Sequence, residues 1–301
     1  MIKFCCSPKT VCKLWPFVVL YTMFCISCQN GNYRTAEKLF RAEELISHDS
    51  VEEASHLLDE ISTYYENNSR PQSKYRFVLD SRYVQTKMGH PIESDSLLLR
   101  ALSFCEKNAS SNAQTKARYL LACSYRDQHQ YSRCQQWLLE ATENADTVAL
   151  CFDYSLLHDI YMELGEIYVC VNSLVPAQHA YYKSAYYALQ VNDSVRWAEA
   201  MLGIAKCKEH LGQWEDCYKL NAVAYQLFMK KDDARRRYDR CMSKVMMCHA
   251  LIEQDKYEDA ARLLMQLERE PTVKCVSSDS LLLSRQVVEC KIRYLVSTGQ
   301  Y

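Results

Sequence analysis

The sequence predicts an all-α protein built as a right-handed solenoid of helical hairpins, and three observations lead there. Six Gly and six Pro in 301 residues are too few for a β-rich or linker-rich chain. Apolar residues recur at helical spacing: Leu121, Ala122 and Tyr125 mark one stripe, and Tyr131, Cys134, Leu138 and Ala141 a second. Most telling is a repeat. A small residue returns at Ala54, Ser94, Cys134, Ala177, Cys217 and Ala260, in steps of 40, 40, 43, 40 and 43 residues.

Other positions keep the same register. Four residues after the small position lie Leu58, Leu98, Leu138, Tyr181, Asn221 and Leu264, and seven after it lie Ile61, Ala101, Ala141, Ser184, Ala224 and Leu267. Three before it are Val51, Tyr131, Leu174, Trp214 and Tyr257, with Pro91 as the exception. Twelve before it are Ala42, Ala122, Gly165, Ala205 and Cys248, with Arg82 as the exception. Small residues where two helices cross let their axes approach, while bulky neighbours fill the grooves on either side.

These positions, and the stretches YMELGEIY (Tyr161 to Tyr168) and KYEDAARLL (Lys256 to Leu264) above all, resemble the tetratricopeptide repeat (TPR). In that repeat a helix A with a small residue packs on a helix B with two. The resemblance covers Tyr33 to the end of the sequence. Its steps exceed the usual period of about 34 residues, which implies longer helices or connections, as in the extended repeats of bacterial regulators and kinesin light chains.

Taken in order, residues 1–28 stand apart. Lys3, Lys9 and Lys13 precede the apolar run Leu14 to Phe24, which is short for a membrane span, and the segment reads as a secretory signal. It ends in CISC, which resembles a bacterial lipobox with Cys28 as the acylated thiol, although Cys25 stands where Leu is usual. Lipid on Cys28 would tether the chain to the membrane of the cell envelope, facing the periplasm or the surface. Plain cleavage, retention as an anchor, or an unusual cytosolic start are the alternatives.

Residues 29–301 form the expected array. A first hairpin spans Tyr33 to Asn67, turning at His48-Asp49-Ser50, and a second spans Pro71 to Asn108, broken at Gly89-His90-Pro91. Hairpins follow over Asn112 to Ala145, Ser155 to Val191, Asp193 to Met229 and Arg235 to Glu268. Ser277 to Thr298 adds one more helix A, and Tyr301 aligns with Tyr131, Trp214 and Tyr257, so the array is expected to stop in mid-repeat. HLLDEI (His56 to Ile61) and SDSLLLRAL (Ser94 to Leu102) resemble envelope regulators in which a periplasmic repeat array precedes a transmembrane helix and a LuxR-type DNA-binding or histidine-kinase module. No such module is present in these residues.

Chemistry is sparse. The formal net charge of -1 gives no reason to expect nucleic acid as a partner of this segment. The eight histidines form no HExxH or other ligand spacing, and GxGxxG, P-loop and GxSxG motifs are absent, so neither metal, cofactor nor enzymatic activity is expected. Eleven cysteines follow Cys28 without a CxxC pair, and Cys134, Cys217 and Cys248 occupy small apolar slots, where a buried thiol serves as packing. A thiol-dependent enzyme remains the rival from another class, and it requires an exposed, low-pKa cysteine near His249. Otherwise the chain is expected to bind a protein or peptide in the groove lined by its A helices, as the sensory or binding segment of a larger regulator or as a structural lipoprotein scaffold. The register nominates Lys116, Tyr119, Arg126, Glu166, Lys206, Glu209 and His210 for that groove.

Overall fold

A computed structural model describes residues 33–67, 70–149, 152–230, 233–270 and 278–300. The signal-like segment 1–28, the lipidation site Cys28 and Tyr301 lie outside them. The described residues hold helices and turns and no strand. They divide into two compact units, which part between Gln130 and Tyr131.

The first unit holds α1 (33–47), α2 (Val51–Asn67), α3 (Pro71–Lys87), α4 (Ser96–Asn108) and α5 (Ser111–Asp127). The second holds α6 (Tyr131–Glu143), α7 (Tyr154–Cys170), α8 (Leu174–Gln190), α9 (Ser194–His210), α10 (Trp214–Phe228), α11 (Ala234–Ile252), α12 (Tyr257–Arg269) and α13 (Ser278–Thr298). Each helix of the second unit packs on the next, and the A helices also touch across the repeat, α7 on α9 and α11 on α13.

One turn repeats at every A-to-B junction. Asp49, Gly89, His129, Asn172, Gly212 and Asp255 all have positive φ, between 57° and 76°, and each stands five residues before its small position. The residue after each donates its N–H back to the helix: Ser50 to Leu45, His90 to Gln85, Gln130 to Tyr125, Ser173 to Tyr168, Gln213 to Lys208 and Lys256 to Leu251, at 2.7–2.9 Å. Such a left-handed residue closes a helix by satisfying its last carbonyls, and Gly, Asn and Asp enter that conformation at least cost. After α13 the same turn begins, with Gly299 at φ 69° and the Gln300 N–H on the Leu295 carbonyl. At the other end of the A helices, Asp153, Asp193 and Asp233, spaced by 40, cap α7, α9 and α11 by accepting backbone N–H groups.

The small positions Ala54, Cys134, Ala177, Cys217 and Ala260 are buried, as are Leu58, Leu98, Leu138, Tyr181, Asn221 and Leu264 four residues on. Ser94 departs from the expectation. Pro91 keeps the chain extended, α4 starts only at Ser96, and exposed Ser94 precedes it. Ile92 is buried instead, its N–H held by the Asp127 carboxylate at 2.8 Å.

Asn221 is the misfit of the core. It occupies a slot that holds Leu in four repeats; its Nδ2 donates to the Cys217 carbonyl at 2.8 Å, and its Oδ1 has no partner among the described residues. A buried, unsatisfied carbonyl costs about 1–3 kcal/mol. Asn221→Leu therefore raises the stability of the second unit by about 1–2 kcal/mol, read as a higher urea midpoint at unchanged slope; an unchanged or lower midpoint contradicts the assignment.

Candidate functional site

In the second unit the A helices carry one stripe repeated three times. Asp159, Met162 and Glu166 lie at i, i+3 and i+7 on α7, Glu199, Leu202 and Lys206 on α9, and Asp239, Met242 and Met246 on α11, with His249 one turn further. The stripe has an acidic end and a half-buried apolar centre; its other end is Glu166 on α7 and Lys206 on α9, and Met246 followed by His249 on α11. Met162, Leu202 and Met242 recur 40 residues apart at one register position, each half-buried against the core of its own repeat, between two rails of charge.

The first rail is a ladder of ion pairs from each A helix to the preceding one. Arg196 Nη1 donates to Asp159 Oδ1 at 2.9 Å, and Arg236 Nη1 to Glu199 Oε1 at 2.6 Å. The first unit carries the same device, with Arg76 on Glu43 and Lys116 Nζ on Asp80 at 2.6 Å. Arg196, Asp159, Arg236 and Asp239 are all buried, so these charges are met by one another rather than by water. Around Glu199 the pairing deepens. The His158 imidazole lies between the Ser184 hydroxyl, 2.7 Å from Nδ1, and the Glu199 carboxylate, 3.6 Å from Nε2, and Arg236 also donates to Asp239 at 2.9 Å. Burial pushes the Glu199 carboxyl up, but its bond to His158 and the Arg236 guanidinium outweigh that and hold it well below the carboxylate range. Asp239, sharing Arg236 with Glu199, is pushed up to about 6 by burial.

The second rail is Lys206 Nζ on Glu166 Oε2 at 2.7 Å and His249 Nδ1 beside Glu209 Oε1 at 3.2 Å. Glu166 is also held from the core side. Tyr181, fully buried, reaches between α7 and α9 and donates its hydroxyl to Glu166 Oε1 at 2.8 Å. That passage exists because Gly165 and Gly203 flank the ring; a Cβ at either would stand 2.6 Å from Cζ or 2.5 Å from Cε1.

Of the residues nominated from sequence, Glu166, Lys206 and Glu209 lie together on this second rail, and His210 is exposed beside them. In the first unit, Lys116 is engaged by Asp80 and lies over the Tyr83 ring, 4.6 Å from its centroid. Tyr119 is buried, 3% exposed, against the same ring, and Arg126 bonds its neighbour Asp127 at 3.0 Å. Not anticipated were the buried charges Asp159, Arg196, Arg236 and Asp239 around half-buried Glu199, or the recurring apolar position. Their signal was in the sequence: Asp159, Glu199 and Asp239, like Arg196 and Arg236, stand 40 apart, the step already found for the small residues.

Ser184, His158 and Glu199 stand in the order of a Ser–His–carboxylate triad, but Ser184 and His158 are fully buried and the Ser184 hydroxyl also lies 3.0 Å from the His158 carbonyl. Cys248, the thiol beside His249, is fully buried, and the His249 Nδ1 is turned to Glu209. Burial pushes Cys207 up to about 11, Cys217 up to about 12 and Cys241 up to about 11, away from the thiolate a nucleophile requires. Among the described residues no cluster of His, Cys, Asp and Glu could hold a metal ion, and no helix is long and apolar enough to cross a membrane.

No protein-family model matches the chain, and no curated protein does. Solved structures do. The apo quorum sensor NprR from B. thuringiensis aligns with TM-score 0.61 at 13% identity over 88% of this chain and 71% of that one. A Rap protein complexed with Competence and Sporulation Factor aligns at 0.60 and 13%, over 89% and 77%. The TPR-like repeats of a putative kinesin light chain from Podosopora anserina align at 0.52 and 15%, over 69% of this chain and all of that one. The fold is that of a TPR-like helical solenoid. In the register of that repeat α7, α9 and α11 are A helices, and the stripe described above lies on them.

Proposed function

We propose that this chain is a non-enzymatic protein-interaction array, anchored to the cell envelope through lipid on Cys28, whose second unit takes an extended peptide or protein segment along the A helices as the binding segment of a larger signalling regulator. The observation that carries the binding reading is the recurrence of half-buried Met162, Leu202 and Met242 at one register position of α7, α9 and α11, between two ion-paired rails. Flexible thioethers and a leucine offer an adaptable apolar floor, and rails whose charges are already paired give a partner little to gain from net charge. The Rap structure that shares this fold was solved with Competence and Sporulation Factor bound, in keeping with such a role. The anchoring rests on CISC, and the regulatory role on the resemblance of HLLDEI and SDSLLLRAL.

The test is selection of a random peptide library on the full chain. Leu202→Glu places an unpaired carboxylate in the middle of the floor and weakens selected peptides by about tenfold or more, whereas Val175→Glu, on the far side of α8, leaves them unchanged. Binders indifferent to Leu202→Glu contradict the proposal. A scaffold lipoprotein is the second reading, favoured by the outer face of α8, where Val175, Tyr182, Tyr186 and Leu189 stand exposed along one stripe.

A further inference from the structure

α8 packs on α7 and α9, and its remaining side is exposed. That side carries Val175, Tyr182, Tyr186 and Leu189, at i, i+7, i+11 and i+14, which fall within one narrow arc of the helix. Other B helices hold charge in the same register. Exposed Glu52 on α2, Glu143 on α6, Glu215 on α10 and Glu258 on α12 stand at positions that α8 fills with Val175 or Tyr186. Lys183 is the one Asp, Glu, Lys or Arg in α8, and it is folded away from the stripe: its Nζ lies 5.1 Å from the centroid of the Tyr161 ring on α7 and donates to the Tyr161 hydroxyl at 3.4 Å. Tyr186 is braced in place. Its ring meets Tyr187 edge-on at 5.2 Å, and Tyr187 stacks between Tyr154 at 6.0 Å and Tyr161 at 5.6 Å. A charge-free stripe with a pre-positioned ring loses little entropy on being covered.

We propose that this stripe is the contact of a homodimer, in which α8 lies antiparallel on α8 of a second copy of the chain with Tyr182 at the two-fold axis. The spacing of the large side chains is palindromic about Tyr182. Val175 lies seven residues before it and Leu189 seven after, so an antiparallel copy sets Val175 against the partner subunit's Leu189 and, by the same symmetry, Leu189 against the partner subunit's Val175. Tyr182 meets the partner's Tyr182, and Tyr186 packs beside the partner's His179. At exposures of 75%, 54%, 57% and 56%, the four side chains offer on the order of 500 Å² per chain, so pairing covers about 1,000 Å² in all, the size at which a specific interface begins. With no Asp, Glu, Lys or Arg on the stripe, the symmetric contact brings no like charges together. A lipid surface would call for basic residues beside the stripe, and the one that α8 has is turned to Tyr161.

Sedimentation equilibrium of the full chain at micromolar concentrations reads the pairing without any peptide, so this proposal and the peptide reading fail separately. A dimer with a micromolar Kd is expected. Tyr182→Lys sets two like charges on the axis and raises Kd by about a hundredfold or more, with the far-UV spectrum unchanged because the position is exposed. Val175→Glu and Leu189→Lys each weaken the dimer by about tenfold or more. Combined in one chain they restore most of the affinity, since each carboxylate then meets the partner's ammonium. The two positions lie about 21 Å apart along their own helix, so the rescue cannot come from within one chain. Three outcomes overturn the proposal. They are a wild-type chain that stays monomeric, whether or not it floats with phosphatidylcholine–phosphatidylglycerol vesicles; a dimer indifferent to Tyr182→Lys; and a double variant that pairs no more tightly than the single ones.

Discussion

Gly203→Ala lowers the stability of the second unit by about 2–3 kcal/mol, and Tyr181→Leu returns most of that loss. In four repeats a leucine fills the position of Tyr181, and its shorter side chain stops short of the A helices. Tyrosine at this slot drives its ring between α7 and α9, where only hydrogen atoms at Gly165 and Gly203 leave it room. A methyl group at 203 must displace a ring enclosed on all sides, since Tyr181 is fully buried and tethered through its hydroxyl to Glu166. Tyr181→Leu alone opens a cavity and costs about 2 kcal/mol, but in that background the added methyl meets vacant space. The two costs are therefore strongly non-additive, and a double-mutant cycle followed by chemical denaturation measures the coupling directly. Additive losses mean that the ring and the glycine do not confine each other.

That coupling also marks how far the sequence could be read. The hairpins, their order and the small slots were legible because each depends on residues repeated at one spacing, and spacing survives translation into a helix. The left-handed turn residues were legible in principle, since Asp49, Gly89, Asn172, Gly212 and Asp255 are of types that tolerate positive φ. Ser94 misled because a proline three residues earlier outweighed the register. Tyr119 was assigned to the groove by its place on helix A, and the bulk of Tyr83 beside it, which no single-helix pattern reveals, buries it. Gly203 lay outside the small slots, two residues before Ala205, so nothing in its own repeat announced that a tyrosine 22 residues earlier needed the room. The charged ladder was missed for another reason. A buried Asp and an exposed Asp look alike in sequence, and only the partner 37 residues further on, Arg196 for Asp159 and Arg236 for Glu199, tells them apart.

Glu199→Gln tests whether that ladder is structural. The carboxylate faces His158 and Arg236, and its side chain is only 21% exposed. Removing its charge takes one of two ion-paired carboxylates from the buried Arg236, which costs about 3 kcal/mol at neutral pH, the lower end of what a broken buried pair costs. The pH profile separates this from a packing defect. Because the folded Glu199 is held below its ordinary value of 4.5, its stabilisation is complete above that pH and is lost as pH falls through the folded value. Asp239 acts with the opposite sign: raised from 3.8 to about 6, it keeps its proton in the folded state, so stability falls as pH rises between those values. The intact protein thus gains stability up to weakly acidic pH and gives some back toward pH 6. In Glu199→Gln the rising arm disappears. The falling arm shrinks as well, because Glu199 no longer repels the Asp239 charge or competes for Arg236. A variant that loses less than about 1 kcal/mol and keeps both arms would place these pairs with solvent-screened surface bridges. The A helices would then be held in register by their apolar contacts alone, and the rails beside Met162, Leu202 and Met242 would be free to pair with a partner's charges.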